Sequence, residues 1–283
     1  MNFKQRRRNF KRSARLSAIH MISIVRMLSA SRRALPDFLI AGAQKGGTTS
    51  LYSYLIEHPN ILPAYRRKEI HYWDNPRHYR LGMRWYRAHF PLIQTLQAAS
   101  AVSGEKTPNY LERPEFIQRI RQDLPGVKLI LLLRNPVERT ISNYYMLYKR
   151  GWETLPLMDA LLDEPRRLAS PVERKKYGTE RAYTVRSIYT PSIKACLEQF
   201  PPDQRLILDS QVFFEDPARV LRQVYAFLGV SPDYLPALPL HKNVGEYKKE
   251  AVPAEVFAYL RETFRPHNAE LYQLLGVDFG WDA

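Results

Sequence analysis

Lys45 stands inside a run of small residues, GAQKGGTTS at 42–50, that follows the apolar FLIA. Three of the chain's twelve glycines fall in six residues here. Clustered glycines let a backbone curl closely around a ligand, and a helix starting near Thr48 would aim free N–H groups at an anion. A mononucleotide loop of the GxxxxGK[ST] type matches Gly42 and Gly47, but it needs a lysine where Thr48 stands. Gly42, Gln44, Lys45, Gly46, Gly47, Thr48 and Thr49 therefore suit a phosphate whose cation reaches a different atom from that of a common ATP site. A glycine-rich turn with no ligand is the competing reading.

Three further stretches carry chemistry. LRNPVERTISNYY at 133–145 places Arg134 just after the most apolar run of the chain, and Ser142 about two helical turns later. Arg and Ser together suit a second phosphate. They could equally be a sheet-capping Arg and a helix-face Ser. RKEIHYWD at 67–74 puts Glu69, His71 and Trp73 on one face if the segment is extended. A carboxylate beside an imidazole can take a proton from a hydroxyl; a surface ion pair beside a core aromatic is the bland alternative. GEKTPNY at 104–110 offers Lys106, an anion ligand or a plain surface lysine.

The elements that must hold these residues read as alternating strands and helices. Strands are expected over 37–43, 69–73, 127–133 and 206–209, with another leading into GEKTPNY. Helices are expected over 48–57, 79–90, 114–124, 137–150, 155–162, 189–200 and 217–228, and two close the chain at 253–265 and 267–275. The charged segment 163–182 reads as a surface excursion, with Arg166–Lys176 a candidate acceptor-side lip. The pattern predicts an α/β fold: one P-loop-like domain, a central, mainly parallel sheet and helices on both faces. Such sheets bind ligands at the carboxyl ends of their strands.

Charge is uneven. The chain has 283 residues and a formal charge of +15, of which residues 1–35 supply ten Lys/Arg and no acid. The remainder, 36–283, is a mildly basic domain of ordinary size. The basic extension suits a solvated tail or peripheral contact with an anionic membrane. Within it, Ser17–Ala30 is apolar but too short to span a bilayer and is broken by His20 and Arg26, so a short amphipathic helix is expected. No nucleic-acid-binding motif accompanies the charge. Cys196 is the only cysteine, so no intrachain disulfide can form.

The four stretches, in this order, resemble the PAPS-dependent sulfotransferases, nearest to the heparan-sulfate-type branch and its bacterial relatives. The likeness rests on Lys45–Thr48, Glu69–Asp74, Glu105–Tyr110 and Leu133–Tyr144, with FRPHNAELYQLLGVDFGW resembling the family's C-terminal helix and end. It covers about Pro36 to Trp281. The resemblance implies 3′-phosphoadenosine 5′-phosphosulfate (PAPS) as co-substrate and no metal. The glycine loop would hold the phosphosulfate, with Lys45 at the leaving phosphate. Arg134 and Ser142 would hold the 3′-phosphate. Glu69 would be the general base, with His71 and Asp74 orienting it. Lys106 and Arg186, the latter in RSIY at 186–189, are expected on the substrate side, and the acceptor would be a saccharide or glycoconjugate. One cysteine departs from the lumenal relatives and suits a cytoplasmic enzyme. The family's lysine–glycine–arginine stretch is also missing; Gly245 falls where its lysine belongs, and Lys242 is preferred as the donor contact over Lys248 and Lys249. A P-loop kinase is the main alternative, followed by a non-catalytic binder of sulfated ligands.

Overall fold

The computed structural model describes residues 25–65, 69–173, 179–237 and 252–282. Five strands form one sheet: β1 Phe38–Gly42, β2 Ile61–Pro63, β3 Val102–Lys106, β4 Lys128–Leu133 and β5 Arg205–Asp209. Their order is β2-β3-β1-β4-β5, and every pairing in it is parallel. Side chains of a strand alternate between faces, so continuous apolar runs need cover on both sides. Leu39 and Ala41 join Leu129, Leu131 and Leu133 in a core that includes Trp73, Tyr86 and Tyr110. Phe38 and Ile40 join Ile130 and Leu132 in the opposite core.

Seven helices do most of the covering: α1 Thr48–Leu55, α2 Pro114–Asp123, α3 Pro136–Lys149, α4 Thr190–Gln199, α5 Ser210–Glu215, α6 Pro217–Leu228 and α7 Ala254–Leu275. Ile117 and Ile120 of α2 and Ile193 and Cys196 of α4 enter the first core. Leu51 and Leu55 of α1 and Leu221 and Val224 of α6 enter the second. Burial pushes the Cys196 thiol up to about 12, as befits a small core residue. A third cluster joins α3 to α7 through Val137, Ile141, Leu260 and Phe264.

Several expected elements differ. Residues 69–73 form no strand; His71 sits at φ +53, which breaks extended alternation, and Trp73 is fully buried. The expected helix over 79–90 is two, Pro76–Arg80 and Gly82–Arg87. The two closing helices are one. Pro266 lies within it on the exposed side, where the freed carbonyl of the preceding turn can meet water, while Leu260, Phe264 and Leu271 seat both halves on the core. The excursion contains a helix, Glu164–Ala169, whose Arg167 turns inward to a buried pair with Glu153 (2.5 Å) while Arg166 stays exposed; residues 174–176 of the expected lip lie outside the described residues. Strand β2 and helix α5 are too short to announce themselves in the sequence. No described helix is long and apolar enough to cross a membrane.

Candidate active site

The glycine loop leaves β1 at the carboxyl end of the sheet and feeds α1. Gly47 caps α1 at φ +93, a left-handed conformation that side chains resist. A Cβ on Gly46 would lie 2.5 Å from the Leu132 carbonyl oxygen, so only glycine lets the loop rest on β4. Ser210 Oγ, at the start of α5, donates to the Gly46 carbonyl (2.7 Å). Arg134, leaving β4, donates from Nη1 to the Lys45 carbonyl (2.9 Å) and pairs through Nη2 with Glu138 (3.2 Å). Arg139 is fully buried. It bonds Gln44 Oε1 (3.3 Å), the Tyr183 carbonyl (3.2 Å) and Ser187 Oγ (3.1 Å). The loop is thus fixed from three sides before any ligand arrives.

Cations converge on it. Among the described residues, no carboxylate pairs with Lys45. Burial first, then Arg134, Arg150 and Arg139, push its ammonium below the ordinary lysine value. Burial and Arg186 likewise lower Arg139. A half-buried ammonium among guanidiniums is unfavourable by itself and favourable around an anion.

Across the loop sits a chain of acids and bases. Lys106 Nζ, at the end of β3, donates to Glu69 Oε1 (2.6 Å) and to Thr49 Oγ1 (2.8 Å). Glu69 Oε2 meets His71 Nε2 (3.2 Å), and His71 Nδ1 meets Asp74 Oδ2 (2.6 Å). Glu69 and His71 meet through the turn at His71, not through strand alternation. Burial alone would raise the Glu69 pKa, but bonds from His71 and Lys106 outweigh it and hold it at about 2. Burial would lower His71, but Asp74 and Glu69 outweigh it and raise the imidazolium to about 10. Glu69 therefore supports folding above its ordinary pKa of 4.5, support that is lost as pH falls through about 2. His71 supports it below 6.5, support that is lost as pH rises through about 10. Histidine NMR is expected to show His71 still protonated at pH 8; a midpoint near 6.5 would mean that the triad does not form in solution.

A buried node aligns this turn. Thr107 Oγ1 accepts the N–H groups of Ile70 (3.2 Å) and His71 (3.4 Å) and donates to Glu105 Oε2 (2.7 Å). Tyr110 and Tyr86 donate to Glu105 Oε1 (2.9 and 3.3 Å). His78 Nδ1 meets the Ile70 and His71 carbonyls. Glu105 and Thr107 flank Lys106 in GEKTPNY and carry no signal of burial in the sequence, and His78 stands alone in NPRHYR with nothing nearby to mark it. Burial, partly offset by the Thr107 and Tyr110 bonds, pushes Glu105 up to about 7. Folded Glu105 holds its proton where an unfolded carboxyl, near 4.5, has lost it, so stability falls as pH rises between those values. Glu105→Gln is expected to flatten that slope in urea titrations across the interval. An unchanged slope would assign the titration to another group.

These groups make an anion loop with a carboxylate poised beside it. A family profile described as the sulfotransferase domain matches residues 35–252.

The chain belongs to the sulfotransferase family.

Mouse heparan sulfate glucosamine 3-O-sulfotransferase 3A1 is 31% identical over 277 residues, covering 90% of this sulfotransferase and 67% of the relative. Isoform 3B1 from mouse is 32% identical, over 89% of this chain and 66% of the relative. This sulfotransferase thus spans about two thirds of their length. A sulfotransferase from Alicyclobacillus acidocaldarius superposes with a TM-score of 0.73 at 28% identity, over 88% of this chain and all of that one.

The other expected residues fall as follows. Thr48 is buried at the start of α1, and Ser142 is buried midway along α3. Gly42 ends β1 against Leu111, with no room for a Cβ. Arg186 is buried in ion pairs with Glu112 and Glu180, next to the Ser187 that holds Arg139. It braces the site from behind as the structure stands. Lys106, expected on the substrate side, lies between Glu69 and the glycine loop. Lys242, Lys248 and Lys249 lie outside the described residues. Trp281 of the C-terminal end accepts through its carbonyl from Asn135 (3.2 Å), which places that end behind the Arg134 turn. Among the described residues, no cluster of His, Cys, Asp or Glu is arranged to hold a metal ion.

Proposed function

We propose that this sulfotransferase moves a sulfuryl group from 3′-phosphoadenosine 5′-phosphosulfate to a hydroxyl or amine of a saccharide or glycoconjugate, with Glu69 as general base. The observation that carries the reading is the single ammonium of Lys106 linking Glu69 to Thr49 of the anion loop (2.6 and 2.8 Å). It sets a carboxylate beside the place where an anion would bind. The loop fits the donor, since its curled backbone and its cations offer charge that no described carboxylate neutralises at Lys45. PAPS supplies the activated sulfuryl group. Lys45 and the Gly46–Thr49 turn would hold the phosphosulfate end. Arg134 and Ser142 would hold the 3′-phosphate, Arg134 exchanging its hold on Glu138 for the ligand.

Glu69 takes the proton from the acceptor as that atom attacks. His71, kept protonated by Asp74, fixes the orientation of Glu69. Lys106 restrains Glu69 at rest, because an ion-paired carboxylate is a weak base. A shift of Lys106 toward the donor's negative charge raises the basicity of Glu69 when both substrates are present. The names of the similar mouse enzymes support the saccharide acceptor. The kinase alternative needs a lysine at Thr48 and a free strand-end acid. Asp209 instead accepts the Gln211 N–H (2.8 Å) as the cap of α5.

Calorimetry with 3′,5′-ADP (adenosine 3′,5′-bisphosphate), beside ATP with and without Mg²⁺, tests the donor. Tight, metal-independent binding of the bisphosphate is expected. Preference for Mg-ATP would sink the reading. Arg134→Ala is expected to weaken bisphosphate binding by ~1.5–3 kcal/mol, the usual worth of a charge-assisted contact. Unchanged affinity would move the 3′-phosphate site elsewhere.

A further inference from the structure

Two stretches far apart in sequence contain no Asp or Glu: everything before Asp37, and everything between Asp74 and Glu105. The fold packs them together. Arg26 donates to the carbonyls of Ala88 (2.6 Å) and Phe90 (2.9 Å) and lies over the Tyr65 ring, 4.4 Å from its centroid. Arg33 donates to the Phe90 carbonyl (3.0 Å), and Arg84 Nε to the Met27 carbonyl (3.1 Å). Arg26 interrupts the apolar run in sequence, yet in the fold its guanidinium turns inward onto the body. Aliphatic side chains stay outside: Val25 is 63% exposed, Leu28 72% and Leu81 51%. The Arg84–Met27 bond and the packing of Ala30–Arg32 on Gly82–Arg87 set the two segments side by side, with Leu28 next to Met27 and Leu81 just before Gly82. Exposed Arg32, Arg77, Arg80 and Arg84 accompany them.

We infer that this face, Val25, Leu28 and Leu81 with Arg32, Arg77, Arg80 and Arg84, docks on a lipid bilayer carrying anionic headgroups. Arginines flanking exposed aliphatic side chains are the composition of an interfacial anchor. A soluble polyanion would satisfy the arginines but give Leu28 and Leu81 no partner. Val25, on the patch itself, is the residue that follows 1–24 in the sequence; those residues lie outside the described ones. They add Lys4, Arg6, Arg7, Arg8, Lys11, Arg12 and Arg15 and no acid, so the chain entering there has the same preference. The inference does not depend on the donor or the acceptor.

Flotation of the full chain with vesicles tests it. Binding is expected to vesicles of phosphatidylcholine mixed with phosphatidylglycerol, to be absent with phosphatidylcholine alone, and to weaken as salt is raised. Each basic side chain at an anionic surface contributes roughly fivefold, so Arg77→Glu with Arg80→Glu should reduce partitioning by more than about twentyfold. Leu28→Asp with Leu81→Asp should abolish it. Both variants should melt and bind 3′,5′-ADP like the unaltered chain, which separates loss of docking from loss of fold. No flotation of the unaltered chain, equal flotation with neutral vesicles, or undiminished flotation of both variants overturns the inference. Patch-dependent binding to heparin without binding to vesicles overturns it too, and gives the face to a soluble polyanion.

Discussion

Glu69→Gln is expected to lower kcat by about 10²–10⁴-fold, the usual worth of a positioned general base, while 3′,5′-ADP affinity is retained. The amide oxygen can still accept from Lys106, so the link to Thr49 survives. The ability to take a proton is lost, together with the ion pair to His71, whose Nε2–H then faces the amide NH2. The pKa held at about 2 sharpens the point. Glu69 stays ionised throughout the neutral range, so its own titration should leave no acid limb near neutrality in the rate profile. Steady-state rates and calorimetry on one preparation decide it. Normal turnover by the Gln variant would remove Glu69 as base, and a loss of nucleotide affinity as large as the loss of rate would recast it as a donor contact.

The second large effect belongs to Lys45. Lys45→Ala is expected to reduce kcat by about 10²–10³-fold, the range seen when one preorganised donor to developing charge is removed. Affinity for the product nucleotide should suffer less, because Arg134 and the loop N–H groups remain. Burial and the surrounding guanidiniums lower the Lys45 pKa, so its charge is lost at a lower pH than that of an exposed lysine. The alkaline limb of the rate should therefore come early and should vanish in the Ala variant. Lys45→Arg keeps the charge but replaces a compact ammonium with a planar guanidinium that presents its donors differently, so only partial recovery is expected. A rise in KM with kcat intact would mean that Lys45 binds ground state and transition state alike.

The architecture was legible because its signals are local. β4 is an unbroken apolar run, and α6 starts at a proline and stops before a glycine, so pattern and chain punctuation coincide. Lys45, Arg134 and Glu69 could be named because each sits in or beside a strand-end turn of unusual composition. What the sequence withheld is cross-chain. That Glu105 would be buried beneath His71, that Arg139 would reach Gln44, or that Arg186 would be spent on Glu112 and Glu180 depends on packing between segments far apart in sequence. The turn at His71 was missed for a related reason. Alternation in EIHYW reads as a strand, but no neighbouring strand pairs with it, and the Thr107–Glu105 node bends it instead.

The strand order carries a consequence for how the chain is made. β1 is central, and its neighbours are residues 102–106 and 128–133, both synthesised much later. A nascent chain therefore carries FLIAG with neither flank paired until β3 leaves the ribosome and with one flank open until β4 does, a long-range closure of the slow kind. Lys106 arrives with one neighbour and Arg134 directly after the other. The strands that flank β1 thus bring Lys106 and Arg134 to the loop as they pair, and a chain stalled before Leu133 has neither a finished sheet nor a loop held by Arg134, Arg139 and Ser210 to offer an anion.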